Sequence, residues 1–535
     1  MRVINRIASF MLVMALVVTT FLATPITAEA AKKTTKKAAA TGVTVAGAAI
    51  QDGNVVVISS GAAASDDGLY HLVASDGISP GNVGADVAQA PVAANASFVA
   101  PLGFNTANSL LFKKFTVCVN KGGVLTPVSN SMYITNPEAT AVQAGARVEN
   151  GKKGLGPSPY HENVNMRTPQ NVGAKQAVVT FELSKANGGG AGRPYVYNGK
   201  TYYFESRYIS HFDNFICQLY RQGCQVTVIL VADQMSPANC VSPYAPAGAG
   251  HSYYAFNGST SEGLETLGAL ASYLTQRWTN STYYGMRINV DNFIIGNEVN
   301  AWNQWNYSSL GPNLAAYTQE YANAFRVMYN GIKSQNANAN VYVCTDHQWA
   351  LNQKTVYGAK TFLTQFNTVI SSQGNIDWRL AFHAYDYPLT NNQAWLPTGN
   401  VQRNQNTKFV SVYNIEEVTD FLCQPAFLSP TGQVRTVKLS EQGYTSATSD
   451  TNQAASIVYA IMVANSNRYI DGIIIAKEKD DPYIEMPQGL SFGILTPQNQ
   501  KKLSYDFYAH AEDPNYIAQA SALAGVDLTT QLAPR

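Results

Sequence analysis

From about Gly145 onward the chain alternates short apolar runs with amphipathic helices. The runs are Lys152–Leu155, Ala177–Leu183, Val226–Val231, Asn292–Ile295, Val341–Cys344, Trp378–Phe382, Thr436–Leu439 and Gly472–Ile475. Each is short enough for a strand and apolar enough to be buried on both faces, as strands of parallel sheets are. The helices between them are plain. Leu264, Leu267, Ala271, Leu274 and Trp278 step by three and four along one face, after a capping-box pattern Ser259-x-x-Glu262. Leu314, Tyr317, Tyr321, Phe325, Met328 and Ile332 do the same. Eight strand–helix units predict an α/β fold, a parallel (β/α)8 TIM barrel with insertions over residues 145–535. One insertion, Tyr195 to Phe204, turns at Asn198-Gly199 and predicts a hairpin on the mouth side.

The front of the chain follows other rules. Arg2 and Arg6 precede an apolar run from Ile7 to Ala23. Pro25 breaks it, and Ala28-Glu29-Ala30 offers small residues for cleavage. Residues 1–30 therefore predict a signal peptide cut after Ala30, and a secreted, extracellular protein with no membrane span once it is removed. Residues 31–42 are a basic, low-complexity linker, whose charge would suit contact with an anionic cell wall. Residues 43–140 carry short β-branched runs separated by Asp-Gly turns, which predict a small all-β, sandwich-like accessory domain.

Composition narrows the partners. Hydrophobic residues make up 46% and charged residues 13%, and the net charge is +1. The first figure allows a large core; the other two give no reason to expect nucleic acid. The 31 tyrosines and abundant Asn, Gln, Ser and Thr suit a neutral, hydroxyl-rich partner such as a carbohydrate. Six cysteines in an exported chain pose the disulfide question; Cys217 with Cys224, or Cys224 with Cys240, are both open pairings.

In a barrel of this kind, chemistry lies where strands run out at their C-terminal ends. The fourth strand ends in Gly296-Asn297-Glu298-Val299-Asn300 and the seventh in Ser440-Glu441-Gln442. Two carboxylates facing one another across the mouth can flank a glycosidic bond. One protonates the leaving oxygen, and the other attacks or activates water. A single glutamate there would more often be structural; a pair on separate staves points to catalysis by Glu298 and Glu441. Asn297 can bond a sugar hydroxyl. Tyr385 or Tyr387 can donate to Glu441 and favour its ionised form. His383 either orients Glu298 or the substrate, or is a satisfied core histidine. Trp302, Trp305, Trp349 and Trp395 lie just past the ends of strands four to six, where aromatic faces would stack on sugar rings.

These residues resemble clan A glycoside hydrolases, whose catalytic carboxylates sit on strands four and seven. The carriers are Asn297-Glu298, His383-x-Tyr385 and Glu441. The strings GNEVNAW, FHAYDYPL and LSEQGYTS also resemble an uncharacterised family of secreted bacterial proteins placed beside that clan. The resemblance implies a retaining double displacement with Glu298 as acid/base, Glu441 as nucleophile and Asn297 on the 2-hydroxyl. It departs at strand eight, where the clan commonly has an aromatic and this chain reads Ala476-Lys477-Glu478-Lys479, and at Phe181-Glu182-Leu183, where an Arg is common. A charged floor would suit a substrate bearing a carboxylate, amine or sulfate.

The expectation is a secreted O-glycosyl hydrolase acting on an oligo- or polysaccharide and needing no cofactor. The histidines show no clustered metal-ligand pattern. The alternative is a catalytically silent carbohydrate-binding or cell-surface protein on the same scaffold. The Gly-x-Ser-x-Gly pattern at Gly489–Gly493 lacks the strand–turn–helix elbow a serine hydrolase needs.

Overall fold

A computed structural model describes residues 42–145, 151–157, 167–189, 192–246, 250–279 and 281–533. The expected signal peptide, and the expected linker up to residue 41, lie outside these. Among the described residues no helix is long and apolar enough to cross a membrane.

Residues 44–133 form seven strands: β1 (Thr44–Gln51), β2 (Asn54–Ser60), β3 (Leu69–Ser75), β4 (Ala85–Pro91), β5 (Asn95–Pro101), β6 (Lys114–Lys121) and β7 (Val124–Tyr133). They make two antiparallel sheets, ordered β1-β2-β5 and β4-β3-β6-β7. The β1–β2 hairpin turns at Asp52 and Gly53, both at positive φ (48° and 77°), the two-residue turn that matches strand twist. Alternate residues such as Val55, Val57, Phe98, Phe115 and Val117 are buried between the sheets.

This module is fastened to the barrel's outer helices. Ser261 Oγ donates to Asp76 (2.9 Å), Asn330 Nδ2 to the Leu111 carbonyl (3.0 Å), and Tyr133 N to the Gln373 carbonyl (2.9 Å). Phe112 lies so close to Gly268 that a Cβ there would sit 2.5 Å from the ring. A helix interior normally disfavours glycine; here it admits a neighbouring module. The 195–202 hairpin belongs to the same seam. Its turn has Asn198 and Gly199 at φ 50° and 74°, as the sequence predicts. Asn198 N donates to Asn105 of the sandwich and Tyr195 packs edge-on to helix residue Tyr273. The hairpin, which follows strand two as expected, thus packs against the sandwich and the helix 261–277, where Lys200 also pairs with Glu265 of that helix.

The barrel is closed by eight parallel strands: Lys153–Leu155, Gln176–Glu182, Gln225–Val231, Asn292–Ile295, Asn340–Thr345, Trp378–Phe382, Val437–Gln442 and Ile470–Ile475. Each pairs with its neighbours in chain order, and the eighth pairs with the first. The major helices are Ile209–Arg221, Ser261–Arg277, Leu314–Gln335, Ala359–Ser372, Glu416–Leu422, Asp450–Ser466, Leu503–Ala509 and Pro514–Ala524. The helix 261–277 is capped by Thr260, whose side chain accepts from Gly263 N. The capping box is thus corrected by one residue: Ser259 Oγ instead donates to buried Glu320 (2.6 Å). Inside the barrel, Val178, Ile229, Val231, Ile294, Tyr342, Cys344, Ala381 and Ile474 form a separate apolar cluster. All six cysteines are free, which settles both open pairings.

Candidate active site

The fourth strand ends at Ile295, and the chain then turns sharply. Gly296 has φ 81°, where an added Cβ would meet the Val299 side chain at 2.6 Å. Glu298 itself has φ 41°, a left-handed conformation uncommon outside Gly, Asn and Asp. Neighbouring backbone holds the turn: Gly296 N donates to the Leu230 carbonyl (2.8 Å) and Val299 N to the Cys344 carbonyl (2.9 Å).

This turn delivers Glu298 to His383, one residue beyond strand six. Glu298 Oε1 lies 2.8 Å from His383 Nδ1, and Glu441 Oε2 lies 3.1 Å from the same nitrogen. His383 is wholly buried, whereas the Glu298 and Glu441 side chains keep 14% and 34% exposure. The two readings of His383 are thereby resolved: it is buried and it also touches both carboxylates. Its other nitrogen, Nε2, lies 3.3 Å from Cys344 Sγ. The three donor atoms of Glu298, His383 and Glu441 fall within 4.8 Å of one another. A zinc-sized ion would need each of them about 2.0–2.2 Å from its centre. A shared hydrogen on Nδ1 accounts for both short contacts without an ion.

The charges at the mouth are unequally compensated. Burial pushes the Glu441 carboxyl above its ordinary value; His383 and Lys477 pull it down and Glu298 adds to the rise. Burial would depress the His383 imidazolium, but Cys344, the Glu441 charge and the Glu298 hydrogen bond outweigh it and hold it well above the ordinary range. Asp346, on the strand-five end, is pushed up to about 7 by burial and by the Glu298 charge. It is clamped by Asn300, which donates to Asp346 Oδ1 (2.6 Å) and accepts from Asp346 N (3.0 Å). Burial lowers His347, whose Nδ1–H donates to the Tyr385 carbonyl (2.8 Å).

Beside Glu441 a cavity of about 780 Å³ opens, lined also by Thr180, Ser440, Lys477, Lys479 and Tyr483. Lys477 enters it from the end of strand eight and pairs with Glu485 (2.7 Å). The peptide joining Ala476 to Lys477 is cis.

Other expected residues divide sharply. Asn297 sits beside Glu298, 9% exposed, and its side-chain amide has no hydrogen-bond partner among the described residues. Tyr385 is at the mouth, its hydroxyl pushed well up by burial and the Glu441 charge. Among the described residues neither Tyr385 nor Tyr387 hydrogen-bonds Glu441, and Tyr387 stacks instead on Phe409 (3.9 Å between centroids). His383 takes the donor role expected of them. Trp305 is half-buried and lies 6.0 Å from Tyr253. The other three tryptophans are corrected. Trp349 is fully buried, edge-on to Phe421 and Phe382; Trp302 packs where Gly311 has no Cβ; Trp395 is in the core. Their rings are packed against other side chains and present little surface to solvent.

Two residues escape the strand-end reading. Tyr253, on the loop after strand three, packs on the interior apolar cluster beneath the mouth. Its neighbourhood of polar residues, Gly250-His251-Ser252, gives no periodic signal. Cys344 sits two residues beyond inward-facing Tyr342, so strand alternation could have placed it.

The structure is a (β/α)8 barrel with an antiparallel front module and a paired-carboxylate mouth. Residues 145–532 match the model of a family described as "Family of unknown function (DUF5722)", and the chain belongs to that family. No curated protein matches it. Among solved structures it is similar to a family 39 glycoside hydrolase from Bacteroides cellulosilyticus WH2 (13% identity, TM-score 0.46, covering 89% of this chain and 80% of that one). It is also similar to GH5_18 from Streptomyces cattleya (12%, TM-score 0.44, 68% and 80%). A third is a monomeric beta-xylosidase from Caulobacter crescentus CB15 (14%, TM-score 0.42, 70% and 70%).

Proposed function

We propose that the chain is an exported retaining glycoside hydrolase acting on an oligo- or polysaccharide. One observation carries the reading: Glu298 and Glu441 converge on a single histidine nitrogen at the barrel mouth, with one oxygen of each carboxylate within 4.8 Å of the other's. Retaining enzymes hold their carboxyl groups about 5–5.5 Å apart, and inverting ones about 6.5–9.5 Å, to admit a water. The closer spacing favours direct attack.

In the first step, Glu441 attacks the anomeric carbon as the bond to the leaving oxygen breaks. Glu298 gives its proton to that oxygen. Water then attacks the same carbon, the bond to Glu441 breaks, and Glu298 takes the water's proton. The cavity beside Glu441 would hold the sugar that becomes attached. Asn297 offers a free amide to a hydroxyl next to the reacting carbon. Export rests on the leader at residues 1–30.

The test is turnover on a panel of aryl glycosides and polysaccharides, followed by Glu441→Gly. The variant should lose hydrolysis and regain it with azide, which fills the space of the missing carboxylate. A folded variant with no azide rescue would overturn the nucleophile assignment. Wild-type binding without any turnover would favour a carbohydrate-binding protein.

A further inference from the structure

Strand five contributes neither carboxylate, yet its last residues touch everything that aims them. Cys344 Sγ lies 3.4 Å from Glu298 N, which donates to it, and 3.3 Å from His383 Nε2. The Cys344 carbonyl accepts from Val299 N (2.9 Å). One residue therefore holds both the left-handed backbone of Glu298 and the far side of the imidazole whose near side meets Glu298 and Glu441. Parallel pairing puts Cys344 opposite Ala381, two residues before His383, so the contact is built into the register.

We infer that Cys344 is a positioning residue for both carboxylates: its sulfur fixes the imidazole plane through Nε2 and the Glu298 turn through N–H···S, so that the Nδ1 hydrogen is shared between Glu298 and Glu441. Size matters here. Sulfur is large and a diffuse acceptor, able to serve two donors at 3.3–3.4 Å. A serine oxygen, on a shorter bond, reaches less far; an alanine leaves Nε2 and the Glu298 N–H unpartnered in a buried place. The groups facing His383 are Glu298 from strand four, Cys344, Asp346 and His347 from strand five, Tyr385 from just past strand six, and Glu441 from strand seven. The Glu441 charge and the Glu298 hydrogen bond favour an imidazolium with hydrogens on both nitrogens, which makes the sulfur an acceptor.

The inference rests on the glycosidase reading for its kinetic consequence, but its geometric content can be read without turnover. With ¹⁵N-labelled histidine, and His383 assigned by a His383→Gln variant, the wild-type ring should show both nitrogens protonated at neutral pH. In Cys344→Ala the Nε2 resonance should shift, since its hydrogen has lost its acceptor, and the ring should titrate at a different pH. On a substrate the wild type hydrolyses, Cys344→Ala should lower kcat on the order of ten- to a hundred-fold with KM within about two-fold. Its acid limb should move, and Cys344→Ser should recover part of the rate. Unchanged His383 resonances and an unchanged pH profile in folded Cys344→Ala would overturn the inference, as would equal losses in the Ala and Ser variants with His383 undisturbed. The expected imidazole changes in a protein that hydrolyses nothing would sustain the positioning role and sink the glycosidase reading alone.

Discussion

The barrel carries buried charge at both ends, and the two ends treat it oppositely. At the base, Lys438 is fully buried; its Nζ donates to Gln176 Oε1 (2.6 Å) and lies 3.1 Å from Asp471 Oδ1. Asp471 also accepts from Tyr342 Oη (2.8 Å) and Thr436 Oγ1 (2.6 Å), with Arg379 at 3.6 Å. Burial would raise this carboxyl, but Lys438, Thr436 and the others overcome it and leave it below its ordinary value. At the mouth the same opposition ends the other way, with Glu441 held up. Compensated charge at the base plugs the barrel. Under-compensated charge at the mouth holds a carboxyl away from its preferred state, the condition that makes it useful in chemistry.

This contrast is broken first by exchanging effects between the ends. Glu298→Gln should cost roughly 10²–10⁴-fold in kcat, the usual worth of a positioned acid. Its melting temperature should stay level or rise, since one of two crowded carboxylates is gone. Kinetics and calorimetry on one preparation decide it. A large fall in melting temperature would mean that the mouth, too, is structural.

At the base the reverse should hold. Lys438→Met takes the buried cation from Asp471, which keeps Arg379 at 3.6 Å and 20% exposure, and should cost up to about 3 kcal/mol of stability, the low end of the range for breaking a buried pair. Turnover per folded molecule should be nearly unchanged. Adding Asp471→Leu should recover much of the loss in denaturant titrations. If the double variant is as weak as the single one, the network does more than neutralise charge.

A smaller effect concerns pH. With Glu441 as nucleophile, activity needs its ionised form, so kcat/KM should fall as pH drops through its pKa. Because burial raises that pKa, the acid limb should lie above the ordinary glutamate value of 4.5. Lys477 opposes the rise, so Lys477→Met should move the limb further toward neutral, by about one pH unit for each 1.4 kcal/mol of lost attraction. A limb that stays put places Lys477 outside the electrostatics of the site.

How much of this was legible follows from the same physics. The barrel was, because parallel strands buried on both faces must be apolar throughout; the eight runs begin and end within a few residues of the observed strands. The acid pair was, because strand ends fix where a side chain emerges. Direction beyond a strand end was not. Trp349 and Trp305 both follow a strand end closely, yet one ring turns back against Phe382 and Phe421 and the other stays at the surface of the mouth. The Cys344–His383–Glu298 contacts were illegible for a different reason. They depend on register between three strands, which no local pattern encodes.

Trp305 gives the finest test of that lesson and the smallest change. It lies 6.0 Å from Tyr253, which packs on the interior apolar layer, and neither ring lines the cavity that holds Lys477. If this pair meets the apolar face of a bound sugar, Trp305→Ala should forfeit an aromatic contact worth about 0.5–1.5 kcal/mol. That would appear as a KM raised roughly two- to twelve-fold, with kcat and melting temperature little altered. Trp349→Ala, by contrast, should lower the melting temperature sharply, because it empties a filled core position. Should the two substitutions act alike on stability, Trp305 would be packing residue after all, and the aromatic side of the mouth would lose its claim on substrate.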